Sequence, residues 1–166
     1  DGSDLTPLTT SPDTSDDPPT WSPNGRQMAF EPQSSQGGMS INIMNVDGSG
    51  LTRLTDSGGS PSWSPDGTQI VFARAHEGIY MMNADGSGQV RLTDSGVSPA
   101  WSPDGKQIAF VLDGIYVMDA DGSNQQRLTE SGYYSPAWSP DSRQIVFSSS
   151  SFRDGVETLY VMNADG

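Results

Sequence analysis

The chain has 166 residues, a formal net charge of -13 and no cysteine. That length suits one domain with room for a real core. So acidic a surface repels polyanions, which argues against nucleic-acid and anionic-membrane partners, and without cysteine there is no disulfide, thiolate metal site or cysteine nucleophile.

Hydrophobic residues make up only 33% of the chain. The Gly, Pro, Ser, Asn and Asp that dilute them recur at regular turns, which indicates many short strands rather than disorder. No apolar run approaches the roughly 18 residues of a membrane span, so no membrane insertion is expected. The chain starts at Asp1 without a methionine or signal peptide, as a processed, excised or engineered domain would.

In chain order, the opening Asp1-Gly-Ser-Asp-Leu-Thr-Pro-Leu-Thr9 matches Asp47-Gly-Ser-Gly-Leu-Thr-Arg-Leu-Thr55 and reads as a turn plus a strand. A phrase then recurs four times: Pro19-Thr-Trp-Ser-Pro-Asn-Gly25, Pro61-Ser-Trp-Ser-Pro-Asp-Gly67, Pro99-Ala-Trp-Ser-Pro-Asp-Gly105 and Pro136-Ala-Trp-Ser-Pro-Asp-Ser142. Its tryptophans, Trp21, Trp63, Trp101 and Trp138, are 42, 38 and 37 residues apart. Periods of about 40 residues mark stacked four-stranded blades. In the second unit the strands are expected at Pro61–Ser64, Gln69–Phe72, Ile79–Asn83 and Gln89–Thr93. The turns between them are closed by Gly67 and Gly86, glycine being the residue that accepts a left-handed backbone there.

The third strands are apolar on both faces: Ile41/Ile43/Met44, Ile79/Met81/Met82, Ile115/Val117/Met118 and Leu159/Val161/Met162. Strands sandwiched between neighbouring blades have that pattern. The variable loops lie between strands two and three, at Glu31–Ser40, Ala73–Gly78, Leu112–Gly114 and Ser148–Thr158. The chain ends at Gly166 after a third strand. The spare strand at Asp1–Thr9 is therefore expected to complete the last blade and remove two open edges. Residues 1–166 form one all-β propeller on this reading, with four four-stranded antiparallel blades and the ring closed by the N-terminal strand. A monomer is expected, with a two-chain, eight-blade ring as the alternative.

The run Trp101–Phe110 followed by Ile115–Gly122 and Gln126–Thr129 resembles the TolB-type propeller repeat, also called the WD40-like or PD40 repeat. The resemblance extends over the whole chain. It implies a binding or gating propeller, with catalysis elsewhere, a protein partner and a periplasmic or extracellular location. TolB has six repeats and an additional amino-terminal domain, so a generic binding scaffold is the part of its role that transfers.

The candidate site residues are mostly carboxylates. Asp119-Ala-Asp121-Gly122 and its repeats at Asn83–Gly86 and Asn163–Gly166 look like the start of a calcium loop but lack the later bidentate glutamate, so turn chemistry is the simpler account. Asp66, Asp104 and Asp141 share a face with Asp47, Asp85, Asp119, Asp121 and Asp165, as a solvated surface or one for a cation or basic partner. On the opposite face Asp56, Asp94 and Glu130, with Asp16 and Asp17, are expected to rim the channel mouth. Asp17, Asp56, Asp94 and Glu130 are the candidate calcium or other cation ligands. Channel carbonyls near Thr20, Ser62, Ala100 and Ala137 offer a second place for a metal ion. Tyr133 and Tyr134, which do not repeat, are candidates for an aromatic ligand platform. The single histidine, His76, reads as solvated. Two rival functions remain: a carbohydrate-active or other hydrolytic enzyme using a carboxylate pair at the channel mouth, and a consensus-like scaffold without its own ligand.

Overall fold

The computed structural model describes residues 6–9, 18–32, 39–130, 133–150 and 157–166, with the side chains of 133, 134, 150 and 157 left out. The described residues form strands without any α-helix. The first sheet is β1 (Thr20–Trp21), β2 (Gln27–Phe30), β3 (Asn42–Asn45) and β4 (Thr52–Arg53). The second is β5 (Gly59–Trp63), β6 (Gln69–Arg74), β7 (Gly78–Asn83) and β8 (Val90–Arg91). The third is β9 (Val97–Trp101), β10 (Gln107–Val111), β11 (Ile115–Asp119) and β12 (Gln126–Arg127). The fourth has three strands, β13 (Tyr133–Trp138), β14 (Gln144–Ser150) and β15 (Glu157–Asn163). Each sheet is an antiparallel meander in chain order.

The repeated phrase builds each first hairpin by the same chemistry. Gly67 N–H donates to the Ser64 carbonyl at 2.8 Å, with Gly67 at φ 71°. Gln69 N–H donates to Ser64 Oγ at 2.9 Å, while Ser64 N–H donates to the Gln69 carbonyl at 2.9 Å. In the fourth unit Ser142 replaces the glycine and still holds φ 59°.

The sheets pack in chain order, first on second, second on third and third on fourth. Trp63, Trp101 and Trp138 each reach back into the preceding sheet. Trp63 joins Ala29, Ile41 and Ile43, and Trp101 joins Val71, Ala73 and Ile79. Phe72 and Phe110 are fully buried between sheets, each worth about 1.5–3 kcal/mol relative to exposure.

Three details differ from the sequence reading. The inner strands begin earlier, at Gly59 and Val97, because a bulge lies within them. Ser60, Ser98 and Ser135 occupy that bulge at φ 51°, 50° and 47°, each just before the repeat proline. The outer strands are only two residues long, since the last apolar residues of each turn away to meet the next sheet. Last, no described residue adds a fourth strand to β13–β15. Thr6–Thr9 is not a strand, yet Leu8 lies beside Gly48, where a Cβ would come within 3.5 Å of Leu8 Cδ2. Leu54 stands in the same relation to Gly86, Leu92 to Gly122 and Leu128 to Gly166. The head segment thus sits where the outer strand of a preceding blade belongs, without pairing to β15. Trp21 is 58% exposed, and Leu159 and Val161 are 76% and 64% exposed.

Candidate functional site

The turn carboxylates are held by their own turns. Ser64 Oγ donates to Asp66 Oδ1 at 2.6 Å, and Thr68 donates to the same oxygen through N–H (3.0 Å) and Oγ (2.8 Å). Asp104 and Asp141 accept from Ser102 and Ser139 in the same manner. Asp47, Asp85 and Asp121 accept the N–H of Ser49, Ser87 and Ser123, each at 2.9 Å. Hydroxyl and amide donors favour the charged form. The Ser64 hydroxyl first, then the Thr68 amide, hold the Asp66 carboxyl below the usual range. The Ser49, Ser87 and Ser123 hydroxyls do the same, ahead of their amides, for Asp47, Asp85 and Asp121. This face is one of satisfied turns.

On the opposite face the carboxylates are distributed, one per repeat. Asp56 Oδ1 lies 3.6 Å from the Arg53 guanidinium and Asp94 Oδ1 lies 3.3 Å from that of Arg91. Arg127 donates to the Glu130 carbonyl and faces Asp113 at 3.4 Å. These are exposed pairs of small energetic value. Among the described residues no three His, Asp or Glu side chains gather as metal ligands. Asp16 and Asp17 lie outside the described residues. Tyr133 and Tyr134 open β13 opposite Ser149 and Ser148. The Ala100 carbonyl is not free: Trp138 Nε1–H donates to it at 3.0 Å. Ser62 Oγ likewise accepts the Trp101 N–H at 3.2 Å.

Asp94 also borders a cavity of about 280 Å³ between the second and third sheets. Arg91–Ser95 form one wall, and Phe110, Leu112, Tyr116 and Gln125 the other. Tyr116 O–H donates to Asp113 Oδ1 at 2.8 Å, and that acceptor, ahead of burial, holds the tyrosine's pKa above its usual value. This groove was not among the sequence candidates. Its signal was a break in the repeat: Leu112 stands where the second unit has Arg74.

Residues 93–166 match the family model for the TolB beta propeller domain. Among solved structures, a protein assigned as TolB from Agrobacterium tumefaciens is 27% identical, with a TM-score of 0.78 over 88% of this chain and 60% of that one. TolB from Acinetobacter baumannii is 26% identical, with a TM-score of 0.78 over 89% of this chain and 40% of that one. An oligogalacturonate lyase in complex with manganese is 16% identical, with a TM-score of 0.66 over 84% of this chain and 48% of that one, and shares the fold alone. Among curated proteins no sequence matches the chain. The sheets are propeller blades with a TolB-like repeat, and the chain spans 60% and 40% of the two TolB structures.

Proposed function

We propose that the chain is a non-catalytic, TolB-like binding module that engages a protein partner through the face carrying Asp56, Asp94 and Glu130. The carrying observation is the Asp94-rimmed cavity between the second and third sheets. Grooves between rigid blades hold a ligand without ordering cost in the scaffold. The turn carboxylates support the same reading, since each is already committed to its own amide and hydroxyl. A periplasmic location accords with the TolB likeness, as does closure of the propeller by Asp1–Thr9 as the outer strand beside β15.

The test is a charge-reversed variant, Asp56→Lys/Asp94→Lys/Glu130→Lys, compared with the native chain by in-cell crosslinking. A specific partner crosslinked by the native chain and lost from the variant supports the module. Turnover of glycosides or esters that vanishes on Glu130→Gln would replace it with the hydrolase.

A further inference from the structure

In the second sheet Arg74 fills a groove of defined chemistry. Its guanidinium carbon lies 4.3 Å from the Tyr80 ring centroid and 5.5 Å from that of Phe72. Nη2 donates to Gln89 Oε1 at 2.5 Å, and Gln89 is itself oriented by donating Nε2–H to the Gly86 carbonyl at 3.2 Å. Glu77 accepts the Tyr80 hydroxyl at 3.0 Å and stands 4.0 Å from the guanidinium. A flat cation is thus held by an aromatic face, an amide oxygen and a nearby carboxylate.

One repeat later every one of these partners recurs. Tyr116 takes the place of Tyr80, Phe110 of Phe72, Gln125 of Gln89 and Asp113 of Glu77. The ring pairs match, at 5.8 Å and 31° for Phe72–Tyr80 and 5.4 Å and 31° for Phe110–Tyr116. Gln125 donates Nε2–H to the Gly122 carbonyl at 3.1 Å, as Gln89 does to Gly86. The cation alone is missing. Arg74 follows Phe72 by the same step as Leu112 follows Phe110, and the leucine leaves the space as the 280 Å³ cavity. Among the described residues no guanidinium is seated over Tyr116. Arg91 is tied to the Glu77 and Thr93 carbonyls and to Asp94, and Arg127 to Asp113 and the Thr129 carbonyl.

We propose that this cavity between the second and third sheets, lined by Phe110, Tyr116, Gln125 and Asp94, binds a guanidinium group supplied from outside the chain. The group replaces the arginine that the second unit carries internally, as an arginine side chain of a partner or as a free guanidinium compound. A lysine ammonium fits poorly, because it is compact, strongly hydrated and has no flat face to lay on the ring. The net charge of -13 draws either cation to the surface, so selectivity between them, not attraction, is the mark of the site.

The proposal deepens the binding-module reading, and Leu112→Arg separates the two, because it fills this cavity while leaving Asp56, Asp94 and Glu130 intact. Calorimetric titration at fixed ionic strength would compare ethylguanidinium, a short neutral peptide with one arginine, and the same peptide with lysine. The arginine peptide is expected to bind saturably and at least roughly tenfold more tightly than its lysine counterpart. Leu112→Arg is expected to abolish that binding while melting at or above the native temperature, since its side chain reproduces Arg74. Binding of ethylguanidinium as tight as the peptide's assigns the site to a free compound, and peptide binding alone assigns it to a protein side chain. Equal binding of the two peptides, unchanged binding in a folded Leu112→Arg, or no saturable binding of either guanidinium probe would overturn the site. Loss of the crosslinked partner from the charge-reversed variant alone, with Leu112→Arg retaining it, would leave the module standing and overturn a partner's arginine as the group that fills the cavity.

Discussion

Ser102 shows how much one side chain in the repeat does. It is buried, donates Oγ–H to Asp104 at 2.7 Å and accepts the Gln107 N–H at 2.9 Å. Ser102→Ala leaves that N–H without its acceptor and is expected to cost about 1–3 kcal/mol, read from chemical denaturation. The carboxylates these hydroxyls serve set an acid limb. Asp66 and Asp104 are held below the usual range, chiefly by the Ser64 and Ser102 hydroxyls. A lowered folded-state pKa contributes stability above the unfolded value, about 3.9 for aspartate, and loses it as pH falls through the folded value. Stability is therefore expected to decline on acidification below about pH 4. Asn24 accepts the same Ser22 hydroxyl and Arg26 amide bonds without a charge. Asp66→Asn/Asp104→Asn should accordingly keep the fold and show a shallower acid limb. An acid limb as steep as the native one in that variant would remove these carboxylates as its cause.

At the scale of elements, the contrast between equivalent tryptophans measures the inter-sheet contact. Trp101 is 8% exposed against Val71 and Ile79, and Trp21 is 58% exposed. Trp101→Ala is expected to cost about 3–5 kcal/mol, whereas Trp21→Ala should lie within roughly 0.5 kcal/mol of native in the isolated chain. Equal losses would show that Trp21 is covered. Gly78→Ala probes the hairpin end: φ is 103°, and a Cβ would run into the Thr93 carbonyl oxygen. A loss of about 2 kcal/mol or more is expected, read from the melting curve. The blades were legible in the sequence because the repeat marks their turns and the two-sided apolar third strands mark their stacking. The Ser98 bulge was not, since a left-handed serine before proline carries no pattern of its own. Nor was the pairing of Asp56 and Asp94 each with an arginine three residues earlier. The groove at Leu112 was hidden for the opposite reason: reading a repeat favours what recurs, and the cavity arises where the recurrence fails.

At the scale of the whole molecule, the exposed head and tail match as two halves of one contact would. Trp101 packs on Val71 and Ile79 of the sheet before it. By the repeat, the residues in those positions for Trp21 are Val146 and Leu159 of the fourth sheet, which are 38% and 76% exposed. Among the described residues the fourth sheet has no outer strand, and Leu8 lies against Gly48 as Leu54 lies against Gly86. Bringing these ends together buries Trp21 and covers the β15 edge, a pairing edge that proteins seldom leave open. Within one chain that contact closes four blades, the lower limit of propeller size. Between two chains the same contact forms twice and gives eight blades. For residues 1–166 alone, closure between two chains gives a solution mass of twice 17.7 kDa, with Trp21 shielded from acrylamide. Deleting residues 1–9, or Trp21→Ala, should return the mass to a single chain or lead to aggregation through the uncovered edge. A native mass of 17.7 kDa with Trp21 still shielded would place the closure within one chain. The same mass with Trp21 open to quencher, unchanged by the deletion, would show that these ends do not close on each other at all.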